Sequence, residues 1–247
     1  MKISIITVVF NGGAFLEDCI KSVVNQNYAD IEYIIIDGAS TDNTPRIINK
    51  YAGRVHKIVS EPDNGLYDAI NKGVALATGE IIGLLNADDM LADNTVITDV
   101  ASFFKKDNSL QGIYGDLNYV YPISLKIIRK WKSKQANKND LRKGWMPAHP
   151  TLYLKRNLFA KYGNYAINLG TAADYDLMLR YLYVHNIKIQ YLPKLMINMR
   201  IGGLSNGSLK GILMAAKNDF IALKRNKLPF PWLILLKKKF VKIEQFL

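Results

Sequence analysis

The chain has 247 residues, 49% of them hydrophobic and 22% charged, a globular composition that predicts one large domain or two small ones. Its single cysteine, Cys19, excludes an internal disulfide, and without the Cys/His spacing of a zinc site we expect a reducing compartment. No apolar run approaches the ~20 residues of a membrane-spanning helix, and the run at 3–10 indicates a strand rather than a signal peptide, so we expect a cytoplasmic protein.

The formal net charge of +12 is unevenly distributed along the chain. Residues 1–125 carry 9 Lys/Arg and 16 Asp/Glu, whereas residues 126–247 carry 24 and 5. The acidic half suits a metal-assisted site. The basic half suits a phosphate-rich partner, which is nucleic acid, a nucleotide leaving group or an anionic membrane surface.

Strand and helix patterns alternate over the first ninety residues and predict βαβ units with a parallel sheet. Short apolar runs predict strands at 3–10, 32–36, 55–60 and 80–85. Apolar residues at helical spacing predict helices at 15–25, from 40–42 to about 51, and at 66–77, where Gly79 would cap the helix.

The second half of the chain has a less regular pattern. Its predicted elements are a helix at 93–106, a strand at 113–120, a helix at 174–183 and a short strand at 187–192. Between them, residues 126–143 carry eight Lys/Arg against Asp140 alone, which predicts a mobile surface loop or hairpin.

Two adjacent carboxylates, Asp88 and Asp89, follow the predicted strand at 80–85. Ligands of open α/β sheets bind just beyond the C-terminal ends of the strands, so this pair is predicted to face a ligand. The two charges repel and are costly to desolvate, which favours a bound divalent cation, Mg²⁺ or Mn²⁺, that holds phosphates. The alternative is that one of them caps the helix at 93–106.

Five short motifs follow one another along residues 1–205: Thr7-Val8-Val9-Phe10-Asn11, Ile36-Asp37-Gly38-Ala39-Ser40-Thr41-Asp42, Glu61-Pro62-Asp63-Asn64-Gly65, Asn86-Ala87-Asp88-Asp89 and Ala172-Ala173-Asp174-Tyr175-Asp176. As an ordered set they resemble glycosyltransferase family 2, the nucleotide-sugar-dependent transferases of the GT-A fold. The resemblance implies an α/β fold with a Rossmann-like, mostly parallel central sheet and helices on both faces. It also implies a nucleotide-sugar-binding half at 1–125 and an acceptor-binding half at 126–205. The residues that follow, 206–247, are predicted from their own pattern to form a basic amphipathic helical tail.

The same resemblance assigns the donor site. Thr7, Val8 and Asn11 would border the nucleotide, and Asp37 would hydrogen-bond its base or ribose. Two further positions, Asp68 and Lys72 on the helix after Gly65, would lie near the donor, although an ordinary surface face explains them as well.

For the phosphates, the resemblance implies that Asp88 contacts the ribose or sugar and that Asp89 ligates the Mn²⁺ or Mg²⁺ bridging the donor phosphates. Many members have an aspartate where this chain has Asn86, so the site holds one formal charge fewer. His149 would lie near the acceptor and diphosphate, with a structural histidine beside prolines as the alternative. Arg200 and the segment 202–205 resemble a flexible segment that closes over the diphosphate, or form a plain glycine turn.

Attack by a sugar hydroxyl on the anomeric carbon requires a general base. Asp174 aligns with the family's catalytic base, and Asp176 remains a rival two positions later. An alternative role for Asp174 is to cap its own helix, and both roles are compatible.

Beyond the family core, residues 210–247 carry nine Lys/Arg against two acidic residues. A helix that starts near Pro231 would place one apolar face against an anionic membrane, with four lysines near the lipid headgroups. The apolar residues are Trp232, Leu235, Leu236, Phe240, Ile243 and Leu247, and the lysines are Lys237, Lys238, Lys239 and Lys242. The competing interpretation is that this helix packs on the catalytic domain or on a second subunit.

Together these features predict a metal-dependent inverting glycosyltransferase of the hexosyltransferase type. It would move a sugar from a nucleotide-diphosphate donor to a lipid-linked or oligosaccharide acceptor in bacterial surface polysaccharide biosynthesis, peripherally at the inner face of the membrane.

Three other classes fit the sequence less well. A sugar-phosphate nucleotidyltransferase would show a longer Gly-rich signature than Asn11-Gly12-Gly13, and a dinucleotide-dependent dehydrogenase would show Gly-x-Gly-x-x-Gly after the first strand. A nucleic-acid-binding protein would add a recognition motif or stacking aromatics to the basic charge, so we expect no nucleic-acid partner.

Overall fold

The structure, a computed structural model, describes residues 1–202 and 209–243. Its first part contains β1 (Ile3–Val9), α1 (Leu16–Val24), β2 (Ile31–Asp37), α2 (Thr44–Lys50), β3 (Lys57–Ser60), α3 (Leu66–Leu76) and β4 (Ile81–Leu84). Its second part contains β5 (Met90–Leu91), α4 (Val96–Lys106), β6 (Gly112–Val120), β7 (Ile127–Trp131), α5 (Lys138–Arg142), β8 (Tyr153–Lys155), α6 (Asn157–Tyr162), α7 (Ala173–Met178), β9 (Ile189–Arg200), α8 (Leu209–Arg225) and α9 (Pro231–Ile243).

Within residues 1–202 the strands form one mixed sheet in the order β3-β2-β1-β4-β8-β6-β9-β5, with β7 added to β6. Six of these strands run in one direction, and β5, β7 and β8 run in the other. Residues of β1 alternate between two apolar clusters, one packed under α3 and α7 and the other under α1 and α4. The predicted α/β fold, mostly parallel with helices on both faces, is confirmed.

The elements predicted in the first ninety residues are present, with one correction. Gly79 does not cap α3, because that helix ends at Leu76 with Ala77 at the C-cap. Gly79 instead packs against β1, where a Cβ atom would lie 2.7 Å from the Ser4 backbone nitrogen. Its backbone N–H donates to Ser4 Oγ over 2.9 Å. The glycine is therefore required by the close approach of two backbones.

The second half departs further from the predicted pattern. The basic segment 126–143 forms a hairpin strand, β7, and the short helix α5. The strand predicted at 187–192 is β9 and continues through Pro193 to Arg200. The helix predicted at 174–183 is divided into α7 and a π-helical turn, Leu179–Val184. The elements β5, α6 and β8 carry no sequence prediction, and α8 lies within the predicted helical tail.

The tail packs on the catalytic domain through part of its surface. Leu223 on α8 and Ile234 on α9 are buried in the same apolar cluster as α7. Lys238 Nζ contacts Asp219 Oδ2 at 2.7 Å and lies over the Tyr175 ring. Trp232 and Leu236 of the predicted membrane face remain exposed, whereas the side chains of Phe240, Ile243 and Leu247 lie outside the described residues. No helix in the described part of the chain has the length and apolarity needed to cross a bilayer.

Candidate active site

A cleft of about 950 Å³ opens at one edge of the sheet. The C-terminal ends of β1, β4, β6 and β9 reach it, because these four strands run in the same direction. The start of α3, the segment around His149 and the start of α7 close its other side. Sheet edges of this kind are where α/β proteins bind ligands, since strand ends leave loops free to carry polar groups.

The loop after β1 forms the floor of the cleft. Asn11 adopts a left-handed conformation, with φ of 48°, and its Oδ1 accepts from the Thr41 N–H at 2.9 Å. Gly12 tolerates no side chain there, because a Cβ atom would lie 2.7 Å from Val9 Cγ2. Of the three residues predicted to border the nucleotide, Val8 and Asn11 line the cleft. The hydroxyl of the third, Thr7, is buried behind the cleft, 3.1 Å from Tyr33 Oη.

Three other residues that were predicted to bind the nucleotide-sugar donor do not line the cleft. They are Asp37, Asp68 and Lys72. Asp37 is fully buried at the end of β2, where Ser60 Oγ donates to its Oδ2 over 2.6 Å. Asp68 Oδ2 accepts from the Asn64 N–H, and Lys72 Nζ forms an ion pair with Glu61 at 2.8 Å. These side chains fix the turns that carry the cleft walls.

The carboxylate pair lies directly on the cleft. Asp89 is 1% exposed, its Oδ1 accepts from the Arg200 N–H at 3.1 Å and its Oδ2 accepts from Asn86 Nδ2 at 3.1 Å. Burial, with the neighbouring Asp88 charge as a second cause, raises the pKa of Asp89 to about 8. Burial also raises the pKa of Asp88.

These carboxylates fit a hard divalent cation. Each Asp89 oxygen accepts one hydrogen bond within the protein and keeps a second lone pair, and oxygen ligands are those that Mg²⁺ and Mn²⁺ prefer. Burial raises both pKa values although the nearby Arg200 charge lowers them in part, and a bound cation would further favour the ionised pair. Among the described residues, no group of three or more His, Cys, Asp or Glu side chains is placed to hold a metal ion.

Arg200 ties the wall formed by β9 to this carboxylate loop. It is 3% exposed, and its guanidinium donates to the Asp88 carbonyl at 2.9 Å, to the Pro122 carbonyl at 2.8 Å and to Asp18 Oδ2 at 2.6 Å. The predicted closing segment continues into residues 203–205, which lie outside the described residues.

The opposite wall carries Asp174 in the first turn of α7. Its Oδ2 accepts from Tyr67 Oη at 2.7 Å and lies 3.5 Å from His149 Nε2. Both partners line the same cleft. Stacking on Tyr165, with ring centroids 5.8 Å apart, orients the Tyr67 ring.

The rival carboxylate, Asp176, faces away from the cleft. It is fully buried, its Oδ1 accepts from Asn226 Nδ2 at 2.8 Å, and its Oδ2 lies 3.4 Å from Arg180. Asp176 therefore joins α7 to the tail.

The cleft residues that no sequence motif indicated include Tyr67, Tyr119 and Arg129. Tyr67 follows the Glu61–Gly65 motif by two positions, and a polar aromatic at the start of a helix that faces the ligand edge was the available signal. Arg129 stacks on Tyr119, with the guanidinium 3.8 Å from the ring centroid. That contact depends on the pairing of β6 with β7, and no sequence motif predicts this pairing.

Comparisons with known proteins show which family the chain belongs to. The family model described as glycosyl transferase family 2 matches residues 4–163. A PGL/p-HBAD biosynthesis glycosyltransferase of Mycobacterium tuberculosis is 30% identical over 210 residues, which make up 82% of this chain and 78% of the relative. The chondroitin synthase of Pasteurella multocida is 29% identical over 91% of this chain, which spans 23% of that protein.

Solved structures match the fold. The structure of S. aureus TarS 1-349 in complex with UDP-GlcNAc has a TM-score of 0.73 at 17% identity, covering 97% of this chain and 72% of that one. The mannosyltransferase PcManGT from Pyrobaculum calidifontis, in complex with GDP-Man and Mn²⁺, has a TM-score of 0.66 at 17% identity, covering 99% and 70%.

Proposed function

Since the chain belongs to glycosyl transferase family 2 and is a glycosyltransferase, we propose that it transfers a sugar, with inversion, from a nucleotide-diphosphate donor to an acceptor hydroxyl. One observation carries this proposal. Asp88 and Asp89 on one wall and Asp174 on another face a single cleft, although 85 positions separate Asp89 from Asp174. Such an arrangement can hold a diphosphate at one end and deprotonate a nucleophile at the other.

Asp174 is the proposed base. Tyr67 holds its Oδ2, which leaves Oδ1 for the acceptor hydroxyl. As the acceptor oxygen attacks the anomeric carbon, its proton passes to Asp174 and the bond from that carbon to the diphosphate breaks. The electron pair of that bond departs with the nucleotide, and attack from the side opposite the leaving group inverts the anomeric centre. Asp176 is not proposed as the base, because its carboxylate is enclosed by Arg180 and Asn226.

At the donor end, Val8 and Asn11 are proposed to border the nucleotide, and Asp88 to contact ribose or sugar. A divalent cation, Mn²⁺ or Mg²⁺, would neutralise the leaving diphosphate, and Asp89 would hold this cation. The Mn²⁺ in the mannosyltransferase neighbour supports this choice of cofactor. The neighbours' UDP-GlcNAc and GDP-Man support a nucleotide sugar as the donor class.

The proposed acceptor is a lipid-linked or oligosaccharide glycan of a surface polysaccharide. Relatives named for PGL/p-HBAD biosynthesis and as a chondroitin synthase support a role in building glycans. We propose that the enzyme binds peripherally to the inner face of the cell membrane, because lipid-linked acceptors are anchored there by their lipid.

A nucleotide-sugar screen tests the proposal. We expect one donor to raise the melting temperature in the presence of Mn²⁺ or Mg²⁺ and to release a nucleoside diphosphate on incubation. Asp174→Asn should keep the stabilisation and lose the release. The proposal would be wrong if no donor raised the melting temperature or released a nucleoside diphosphate. Release of pyrophosphate from a nucleoside triphosphate in the same protein would then indicate a nucleotidyltransferase.

A further inference from the structure

Residues 121–127, called the hairpin tip from here on, connect β6 to β7 and carry an exposed apolar patch beside the cleft. Tyr121, Leu125 and Ile127 are each exposed, and Ile123 is 91% exposed, the largest value among the large hydrophobic side chains of the described residues. Single exposed apolar residues are ordinary on protein surfaces, but four within seven residues form a patch that indicates a contact.

The fold itself does not account for these side chains. The turn is closed by backbone hydrogen bonds, from the Tyr121 N–H to the Lys126 carbonyl at 3.0 Å and from the Leu125 N–H to the Tyr121 carbonyl at 3.1 Å. Leu125 has φ of 54°, a left-handed conformation that favours glycine or asparagine. A leucine at this position carries a steric cost, and its side chain is still 42% exposed, so packing within the fold only partly accounts for it.

The stretch of sequence that contains the hairpin tip carries positive charge only. Between Asp116 and Asp140 the chain contains six Lys/Arg and no acidic residue. Lys126 and Lys130, at the tip and on β7, are exposed. Exposed apolar side chains next to these two lysines complement a surface that is apolar inside and anionic outside, which is the chemistry of an anionic lipid leaflet.

The hairpin is also fixed to the active site. Ile128 and Arg129 of β7 line the cleft, and Arg200 donates to the Pro122 carbonyl at the tip. The Tyr119 and Trp131 rings, 6.4 Å apart and nearly parallel, brace its base. A tip that enters a bilayer would therefore hold the mouth of the cleft at the level of the headgroups.

We infer that the hairpin tip inserts into an anionic lipid bilayer and presents the cleft to acceptors anchored there. This inference rests on the proposed function in one respect, that the acceptor is lipid-linked. It assigns the membrane contact to the hairpin rather than to the tail, whose Ile234 and Lys238 are already engaged with the catalytic domain.

Sedimentation with vesicles tests the inference on the full chain. The vesicles contain equimolar phosphatidylcholine and phosphatidylglycerol, with pure phosphatidylcholine as the comparison. Ile123→Asp should lower the bound-to-free ratio at least tenfold, since it removes an inserted side chain and adds a repelled charge. Lys126→Gln with Lys130→Gln should lower the ratio on the anionic vesicles only. Ile167→Asp, at another site that is 60% exposed, is the matched control and should bind normally.

The remaining outcomes separate the alternatives. Loss of binding in Trp232→Asp with normal binding in Ile123→Asp would overturn the inference in favour of the tail. A wild-type dimer that Ile123→Asp converts to a monomer, without an effect on vesicle binding, would identify a second copy as the occupant and also overturn it. Donor hydrolysis without vesicles tests the proposed function separately, because Ile123 lies outside the cleft lining and Ile123→Asp should hydrolyse donor at the wild-type rate.

Discussion

At the scale of single residues, Asp174 and Asp176 show how two carboxylates on one helix acquire different roles. Asp174 faces the cleft beside Tyr67, whereas Asp176 is enclosed by Arg180 and Asn226. Replacing Asp174 by Asn should lower transfer by ~10²–10⁴-fold, because the general base is lost, and should leave the melting temperature close to the wild-type value. Steady-state turnover and thermal unfolding of the same preparation measure both effects.

Asp176→Asn provides the contrasting variant. It removes a buried charge beside Arg180 and should destabilise the fold by roughly 3 kcal/mol, measured by denaturant unfolding. If Asp176→Asn abolished turnover at full stability while Asp174→Asn remained active, the base assignment would be reversed.

Tyr67 is a positioning residue, because it holds the oxygen of Asp174 that the acceptor does not use. Tyr67→Phe removes the 2.7 Å hydrogen bond and keeps the stacking on Tyr165. We expect kcat to fall about tenfold, which corresponds to the ~1.5 kcal/mol of a hydrogen bond to a charged group, with KM for the donor unchanged.

The matched control for this variant is Tyr28→Phe, which removes a hydroxyl that donates to the Met1 carbonyl just before β1, at the end of that strand opposite to the cleft. It should leave kcat unchanged. A loss of stability in Tyr67→Phe without any change in kcat would indicate a purely structural tyrosine.

At this scale, site residues could be predicted from a local sequence pattern, whereas contacts between residues far apart in the sequence could not. Asp88 and Asp89 could be placed because they end a strand, and strand ends share an edge. The bond between Tyr67 and Asp174 joins residues 107 positions apart on two helices, and no local pattern encodes such a contact. The burial of Asp37 beside Ser60 could not be predicted either, because Ser60 lies on a different strand, β3.

At the scale of elements, the junction between α9 and the catalytic domain depends on Gly144. This residue has φ of 82°, and a Cβ atom there would lie 2.8 Å from the Lys238 backbone nitrogen and 2.9 Å from the Ile234 carbonyl oxygen. Gly144→Ala should destabilise the protein by at least ~1–2 kcal/mol, the cost of the left-handed conformation alone, and should displace α9. Denaturant unfolding and limited proteolysis of the tail measure these effects.

Gly53→Ala is the control for this substitution, because no atom lies within 4 Å of the position that a methyl group would take on Gly53, and the φ of this residue is not positive. It should be neutral or slightly stabilising, since alanine restricts the unfolded chain. Unchanged stability and proteolysis in Gly144→Ala would show that α9 does not dock on this loop.

Element boundaries could be predicted where one rule dominated. The strands β1, β2 and β4 are short, mostly apolar runs that are buried along nearly their whole length, so this composition identified them. The strand β9 was predicted too short because Pro193 signals a break, yet the residue lies where the pairing with β6 shifts register and the missing N–H costs little. The three-residue strand β8 is stabilised by its neighbours β4 and β6 rather than by its own sequence.

At the scale of the whole molecule, the cleft is assembled from elements that span β1 to β9, so a ligand that fills it should stabilise the fold as one unit. The net charge of residues 1–125 is negative and that of 126–247 is positive, and the cleft takes its carboxylates from both parts while Arg129 and Arg200 come from the basic one. A nucleotide diphosphate with its cation complements such a mixed lining better than either does alone.

We therefore expect the nucleoside diphosphate and Mn²⁺ together to raise the single melting transition, by an amount corresponding to ~2.7 kcal/mol at a hundredfold excess over Kd. Chelating the metal should remove most of this stabilisation, because the diphosphate then faces Asp88 and Asp89 without a counter-charge. Asp89→Asn should abolish the metal dependence, whereas Asp99→Asn, on the outer helix α4, should preserve it. Equal stabilisation with and without chelator in the wild-type protein would contradict the metal assignment.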